Sequence, residues 1–163
     1  GVSKVYFAPG WRIGYMAWHD PSGKLGLVRD GVERLLRSRL CASTPAQFGY
    51  LAGLTDDSEW LKGHRSSIKE RLDYCIERIS EIDGIECEPP GGAFYLFVRI
   101  TDERLSSDDK KFVLQLLEEK HVLVVHGSGF SPEYGRGHFR MVCLPTIEIL
   151  DEAFNRISDF LGG

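Results

Sequence analysis

No two cysteines of this chain stand in a CxxC pair: Cys41, Cys75, Cys87 and Cys143 lie far apart, and no histidine sits at metal-ligand spacing from them. A metal site is therefore not expected, and free thiols in a reducing cytoplasm are the simplest reading. There is no basic excess either. The 20 Lys and Arg are outnumbered by 24 Asp and Glu, for a net charge of −4. With the signs interspersed, nothing suggests nucleic acid as a partner. No apolar run approaches the roughly 20 residues needed to span a bilayer, so no membrane partner is expected and the protein reads as soluble. Internal repeats and low-complexity tracts are missing too. What is present is 163 residues with an ordinary apolar content of 42%. That is enough for one domain with a sizeable core, or for one domain and a piece of another.

The most telling residues present are Lys4 and Arg12, in Gly1-Val2-Ser3-Lys4-Val5-Tyr6-Phe7-Ala8-Pro9-Gly10-Trp11-Arg12-Ile13-Gly14. Fully extended, that segment would hold the two side chains about 26 Å apart, at roughly 3.3 Å per residue. Pro9-Gly10 predicts a reversal between them, a type II turn with proline presetting φ and glycine taking the positive φ of the second position. The amine and the guanidinium then converge. A lysine able to form a Schiff base, beside an arginine fork suited to phosphate, is what a pyridoxal 5'-phosphate (PLP) site requires. A lone lysine before a turn would otherwise be an ordinary surface residue.

This segment resembles the cofactor-lysine signature of the class I/II aminotransferases, the fold-type I PLP enzymes. The resemblance implies that Lys4 carries the cofactor and acts as the catalytic base, and that Arg12 binds the cofactor phosphate. Phe7 departs from the pattern, which has a smaller residue there. In enzymes of this kind the lysine lies near the middle of a chain at least about twice as long. The residues given therefore read as a C-terminal half, with the partner of the pyridinium nitrogen in the other half.

Along the chain, residues 10–18 are apolar and aromatic-rich and predict a buried strand, closed by Asp20-Pro21-Ser22-Gly23. Leu25, Val28, Val32, Leu35, Leu36 and Leu40 recur at helical spacing. Ser43-Thr44-Pro45 offers a helix cap leading to a short helix through Leu54. A longer helical pattern starts at Asp56-Asp57-Ser58 and ends at Asp83-Gly84, with Gly63 inside it as a candidate bend or hinge. Beyond it, strands are predicted at 85–88, 93–100, 122–126 and 138–143, and helices at 107–120 and 146–161. With a boundary near Thr55, the expected fold is a short α/β remnant of the large PLP-binding domain over 1–55, followed by an α+β small C-terminal domain over 56–163.

Arg140 lies in His138-Phe139-Arg140-Met141-Val142-Cys143-Leu144-Pro145, where period two puts Phe139, Met141 and Cys143 on one face and His138, Arg140 and Val142 on the other. An arginine in such a strand either grips a carboxylate ligand through two parallel hydrogen bonds or pairs with a local Asp or Glu. The resemblance favours the first. The family carries its substrate α-carboxylate arginine in such a strand after a Gly-Ser-x-Phe turn, matched here by Gly127-Ser128-Gly129-Phe130. The wording of this region is most similar to the alanine aminotransferase branch. His126 stands where the family commonly has proline and reads as a packed or solvated side chain. Gly91-Gly92-Ala93-Phe94-Tyr95 matches a family turn beside the substrate, although a plain strand start explains it equally well. Ser43 and Thr44 read as a cap, and Trp11 and Trp18 as core.

The resemblance thus implies amino-acid transamination, with alanine and a 2-oxo acid exchanging an amino group in a cytoplasmic homodimer. The alternatives are another fold-type I reaction, such as a carbon–sulfur lyase, or a non-catalytic PLP-sensing domain of a transcription regulator.

Overall fold

The computed structural model describes residues 1–55 and 59–162. The chain divides into two compact units, Gly1–Leu61 and Lys62–Gly163. The expected helix start at Asp56-Asp57-Ser58 lies outside the described residues.

The first unit is helical. A single turn, α1 (Val2–Val5), precedes a 3-10 turn (Pro9–Trp11), followed by α2 (Gly26–Arg39) and α3 (Thr44–Thr55). Pro9-Gly10 does not form a type II turn. Trp11 donates to the Ala8 carbonyl at 3.2 Å and Arg12 to the Pro9 carbonyl at 3.4 Å, two overlapping i to i+3 bonds. Proline suits the first helical position because its missing N–H would be unused there. Positive φ falls on Phe7 (53°) and Arg12 (51°) instead of Gly10.

Residues 12–20 hold no regular structure, so the strand expected at 10–18 does not form. An apolar run becomes a strand only where a neighbour takes its backbone N–H and C=O groups. Among the described residues, every strand belongs to the second unit. Nor are Trp11 and Trp18 core residues, since both stay substantially exposed. Helix α2 forms as its periodicity predicts, but its apolar stripe is uncovered. Leu35 is 72% exposed and Leu36 59%, and the helix buries no residue.

In the second unit, α4 (Glu59–Ser80), which begins in the first unit, runs through Gly63 without a break in its helix. Then come β1 (Ile85–Glu86), β2 (Tyr95–Ile100), α5 (Asp109–Lys120), β3 (Val125–His126), a 3-10 turn (Gly127–Gly129), β4 (His138–Val142) and α6 (Ile147–Leu161). The sheet is antiparallel in the order β1-β2-β4-β3. Alternation decides its faces. Leu96, Val98, Ile100, Phe139 and Met141 enter the core with Cys75 and Ile79 of α4, Phe112 and Leu116 of α5, and Leu150, Phe154, Ile157 and Leu161 of α6. The α6 set falls at i, i+4, i+7 and i+11, one stripe of a 3.6-residue helix. Each large side chain so buried contributes about 1.5–3 kcal/mol relative to exposure. Cys75 and Cys143 are both wholly buried here. A hydrogen bond that Cys143 donates to Cys75, and then burial, push the Cys143 thiol up. All four cysteines are free.

Helix α5 starts on two consecutive aspartates with different tasks. Asp108 is the N-cap, accepting from the Lys111 amide at 2.9 Å. Asp108→Ala should lower stability by about 1 kcal/mol, the usual worth of such a cap. The denaturation midpoint of the second unit reads this, and an unchanged midpoint would mean that water serves the helix end equally well.

Candidate functional site

Lys4 lies in the last turn of α1, and its side chain is exposed. The Val2 amide donates to the Ile13 carbonyl and the Ala8 amide to the Val2 carbonyl, each at 3.4 Å. These bonds fold the Arg12 turn back against the Lys4 turn, as the spacing predicts, although by a different backbone route. Arg12 is held in the left-handed region and donates from Nη1 to the Pro9 carbonyl at 2.9 Å. That bond uses one of five guanidinium N–H groups and leaves the others for a ligand.

Two aromatics moor this hairpin to α3. The Tyr6 hydroxyl donates to the Gly53 carbonyl at 2.9 Å, and its ring meets Tyr50 edge-on at 6.1 Å. Trp11 lies so close to Gly49 that any side chain there would collide with the indole. Burial, then the nearby Tyr15 and Tyr6, raise the Tyr50 phenol above its ordinary value.

Arg140 sits on β4 between two neighbours, opposite Phe97 of β2 and Val125 of β3. Its face of the sheet is the one turned away from the core. The centre of the guanidinium lies 4.3 Å from the Phe130 ring and 4.7 Å from the Tyr95 ring. Contacts of this kind hold the cation without neutralising it. Among the described residues, no carboxylate stands within ion-pair distance of Arg140, and its Nε is buried without a hydrogen-bond partner. The local ion pair left open by the sequence is absent among these residues. A buried guanidinium N–H with nothing to donate to is costly and suits a site that receives an anion.

Phe97 extends the aromatic surface, stacking on His138 at 5.1 Å and meeting Phe130 edge-on at 6.1 Å. Phe130 itself follows the Gly127–Gly129 turn, which is packed against the loop before β4. A Cβ on Gly127 would strike the Gly135 carbonyl, and one on Gly135 would strike the Gly127 carbonyl. Asp109 reaches the same turn. Its carboxylate accepts from the Ser128 amide at 2.7 Å and is almost fully buried. His126 is partly buried, with Nδ1 3.0 Å from the Ser128 hydroxyl and 3.8 Å from Asp109 Oδ2.

The family model for aminotransferase class I and II matches residues 1–157. The chain belongs to that family. Glutamate-pyruvate aminotransferase AlaA of Haemophilus influenzae is 36% identical across 99% of this chain. Among solved structures, the alanine aminotransferase from Pyrococcus furiosus is similar with a TM-score of 0.88 at 53% identity, over 99% of this chain. An aminotransferase from Escherichia coli also gives a TM-score of 0.88, at 32% identity over the whole of this chain. The chain spans about 40% of the length of these aminotransferases.

Lys4 and Arg12 thus stand on adjoining turns of the first unit, and Arg140 lies in the second. Sequence reasoning placed Arg140 on its face but missed Phe130 as its stacking partner and missed Asp109 altogether. A visible signal existed for Phe130, since the motif that carries it ends beside β4. None existed for Asp109, which is indistinguishable in sequence from a second capping residue.

Proposed function

We propose that this chain is the C-terminal part of a PLP-dependent amino-acid aminotransferase that exchanges an amino group between alanine and a 2-oxo acid. Residues 1–55 belong to its large domain and 56–163 form its small domain, in a cytoplasmic homodimer. The observation that carries the reading is Arg140: a strand-borne guanidinium flanked by two rings, with no acidic neighbour within ion-pair distance among the described residues. The relatives' names favour transamination over a lyase or a regulator.

The donor set fits PLP in kind. Lys4 offers the exposed amine for covalent attachment, and Arg12, its fork oriented by the Pro9 carbonyl, offers N–H groups to a phosphate. PLP, when bound, draws electrons from the substrate's Cα and carries the amino group between the two acids. The chain's own residues do the rest. Lys4 Nζ would take the proton from Cα of the amino acid in one half of the exchange and, once freed of it, would supply a proton to Cα of the incoming 2-oxo acid's carbon skeleton in the other. Arg140 grips the α-carboxylate at two points and so fixes how the Cα–H bond is presented.

The test is exchange between alanine and 2-oxoglutarate, followed by pyruvate formation with PLP present. The full-length parent should turn over. The 163-residue chain alone should not, and should not retain PLP through desalting, because Lys4 and Arg12 are only part of a cofactor site. Robust turnover by the isolated chain, or none by the parent, would overturn the reading.

A further inference from the structure

The proposed carboxylate site depends on the position of Phe130, and Phe130 depends on a turn with few anchors of its own. Gly127–Gly129 is a single 3-10 turn whose backbone closes through the Phe130 amide to the Gly127 carbonyl at 2.8 Å. Two glycines in three residues leave it short of side chains that could lock it. Its anchorage comes from outside. Asp109, at the start of α5, is 4% exposed and is the buried charged residue of the described core. Its carboxylate accepts the Ser128 amide at 2.7 Å, the short distance typical of a charge-assisted bond. On the other side of Ser128, the His126 Nδ1 shares a hydrogen bond with the hydroxyl at 3.0 Å. The imidazole is also close enough to Gly129 that a Cβ there would lie 2.9 Å from its Cε1. Ser128 is therefore held by its backbone from α5 and by its side chain from β3, two residues before the ring that stacks on Arg140.

We propose that Asp109 and His126 are positioning residues for the carboxylate site, acting through Ser128 to keep Phe130 against the Arg140 guanidinium. The inference rests on the reading of Arg140 given above. It goes beyond it by assigning a share in substrate affinity to a buried carboxylate and an imidazole that act through the Ser128–Phe130 turn. A held Phe130 keeps the guanidinium plane oriented before the ligand arrives, so less ordering is left for binding to offset.

The experiment uses the full-length parent loaded with PLP and the variants Asp109→Ala, Asp109→Asn, His126→Ala and His126→Asn. Asp109→Ala should raise KM for alanine and for pyruvate by about tenfold, the scale of one lost charge-assisted hydrogen bond, with kcat within about twofold. Asparagine at 109 keeps an acceptor oxygen for the Ser128 amide and should recover part of that loss. Asparagine at 126 can likewise replace Nδ1 and should outperform alanine there. Amide hydrogen exchange in residues 127–131 supplies a readout independent of turnover, and it should accelerate in both alanine variants.

Fallen kcat with unchanged KM would mean a purely structural role and would overturn the proposal, as would unchanged exchange in the turn. If Asp109→Ala fails to fold, the two His126 variants decide by the same criteria. Arg140→Lys is measured alongside. If it raises KM while the clamp variants do not, only the clamp is wrong. If Arg140→Lys itself leaves KM unchanged, the carboxylate reading fails and the clamp's role fails with it.

Discussion

Lys4→Ala in the full-length parent should abolish transamination, with a loss on the order of 10⁵- to 10⁶-fold, as seen where one side chain carries the central covalent and proton-transfer roles. In the proposed mechanism two tasks fall on one nitrogen, anchoring PLP and moving the Cα proton. No neighbouring amine in the Gly1–Gly14 segment can replace it, because Lys4 is its only lysine. The fold should survive, since the Lys4 side chain is exposed and substitutions at such sites change stability by about 0.5 kcal/mol or less. Turnover, Tm and PLP content separate these outcomes. Arg12→Ala serves as the comparison, with looser PLP but activity restored by excess cofactor. Near-normal transamination by the Lys4 variant would place the attachment point elsewhere.

The second large effect is expected at Arg140. Arg140→Lys should lower kcat/KM by roughly thirty-fold to several-hundred-fold, about 2–4 kcal/mol, while PLP affinity stays the same. An ammonium keeps the charge but loses the planar fork. It cannot lie flat between Tyr95 and Phe130, nor meet both carboxylate oxygens at once. Amino acid and oxo acid should suffer alike because each presents the same α-carboxylate. Equal kcat/KM for variant and parent in both half-reactions would make Arg140 a structural residue.

How far the sequence carried the fold depended on whether the pattern reported a completed interface. Tyr95–Ile100 and His138–Val142 were legible because one face of the sheet is buried and the other is not, so alternation is enforced along both strands. Helices α5 and α6 were legible for the same reason at a period of 3.6. Residues 10–18 misled because an apolar run has the same appearance whether or not a strand neighbour takes its backbone groups, and here all of them but Ile13 stay exposed. The Pro9-Gly10 turn misled differently. Glycine permits positive φ without demanding it, and the chain placed that conformation on Phe7 and Arg12. Arg140 could be assigned to a face, but that no acid among the described residues comes within ion-pair distance depends on distant segments and is visible only in three dimensions. Asp108 and Asp109 mark the limit most sharply. They are identical and adjacent, yet one serves its own helix and the other a turn nineteen residues onward.

The contact between Gly127 and Gly135 bears on how this chain could acquire a new substrate range. Each position has the other's carbonyl where a first side-chain carbon would go. In most tight contacts an enlarged residue can be accommodated by shrinking its partner, which gives evolution a two-step path. Here the partner is already the smallest residue there is, so neither change can be rescued by the other. Under the proposed reading of Arg140, variation in specificity is thereby channelled away from the backbone of the loop and onto the side chains grouped around the guanidinium, Tyr95, Phe97, Phe130 and His138. A mutational library aimed at this site is best concentrated on those four positions.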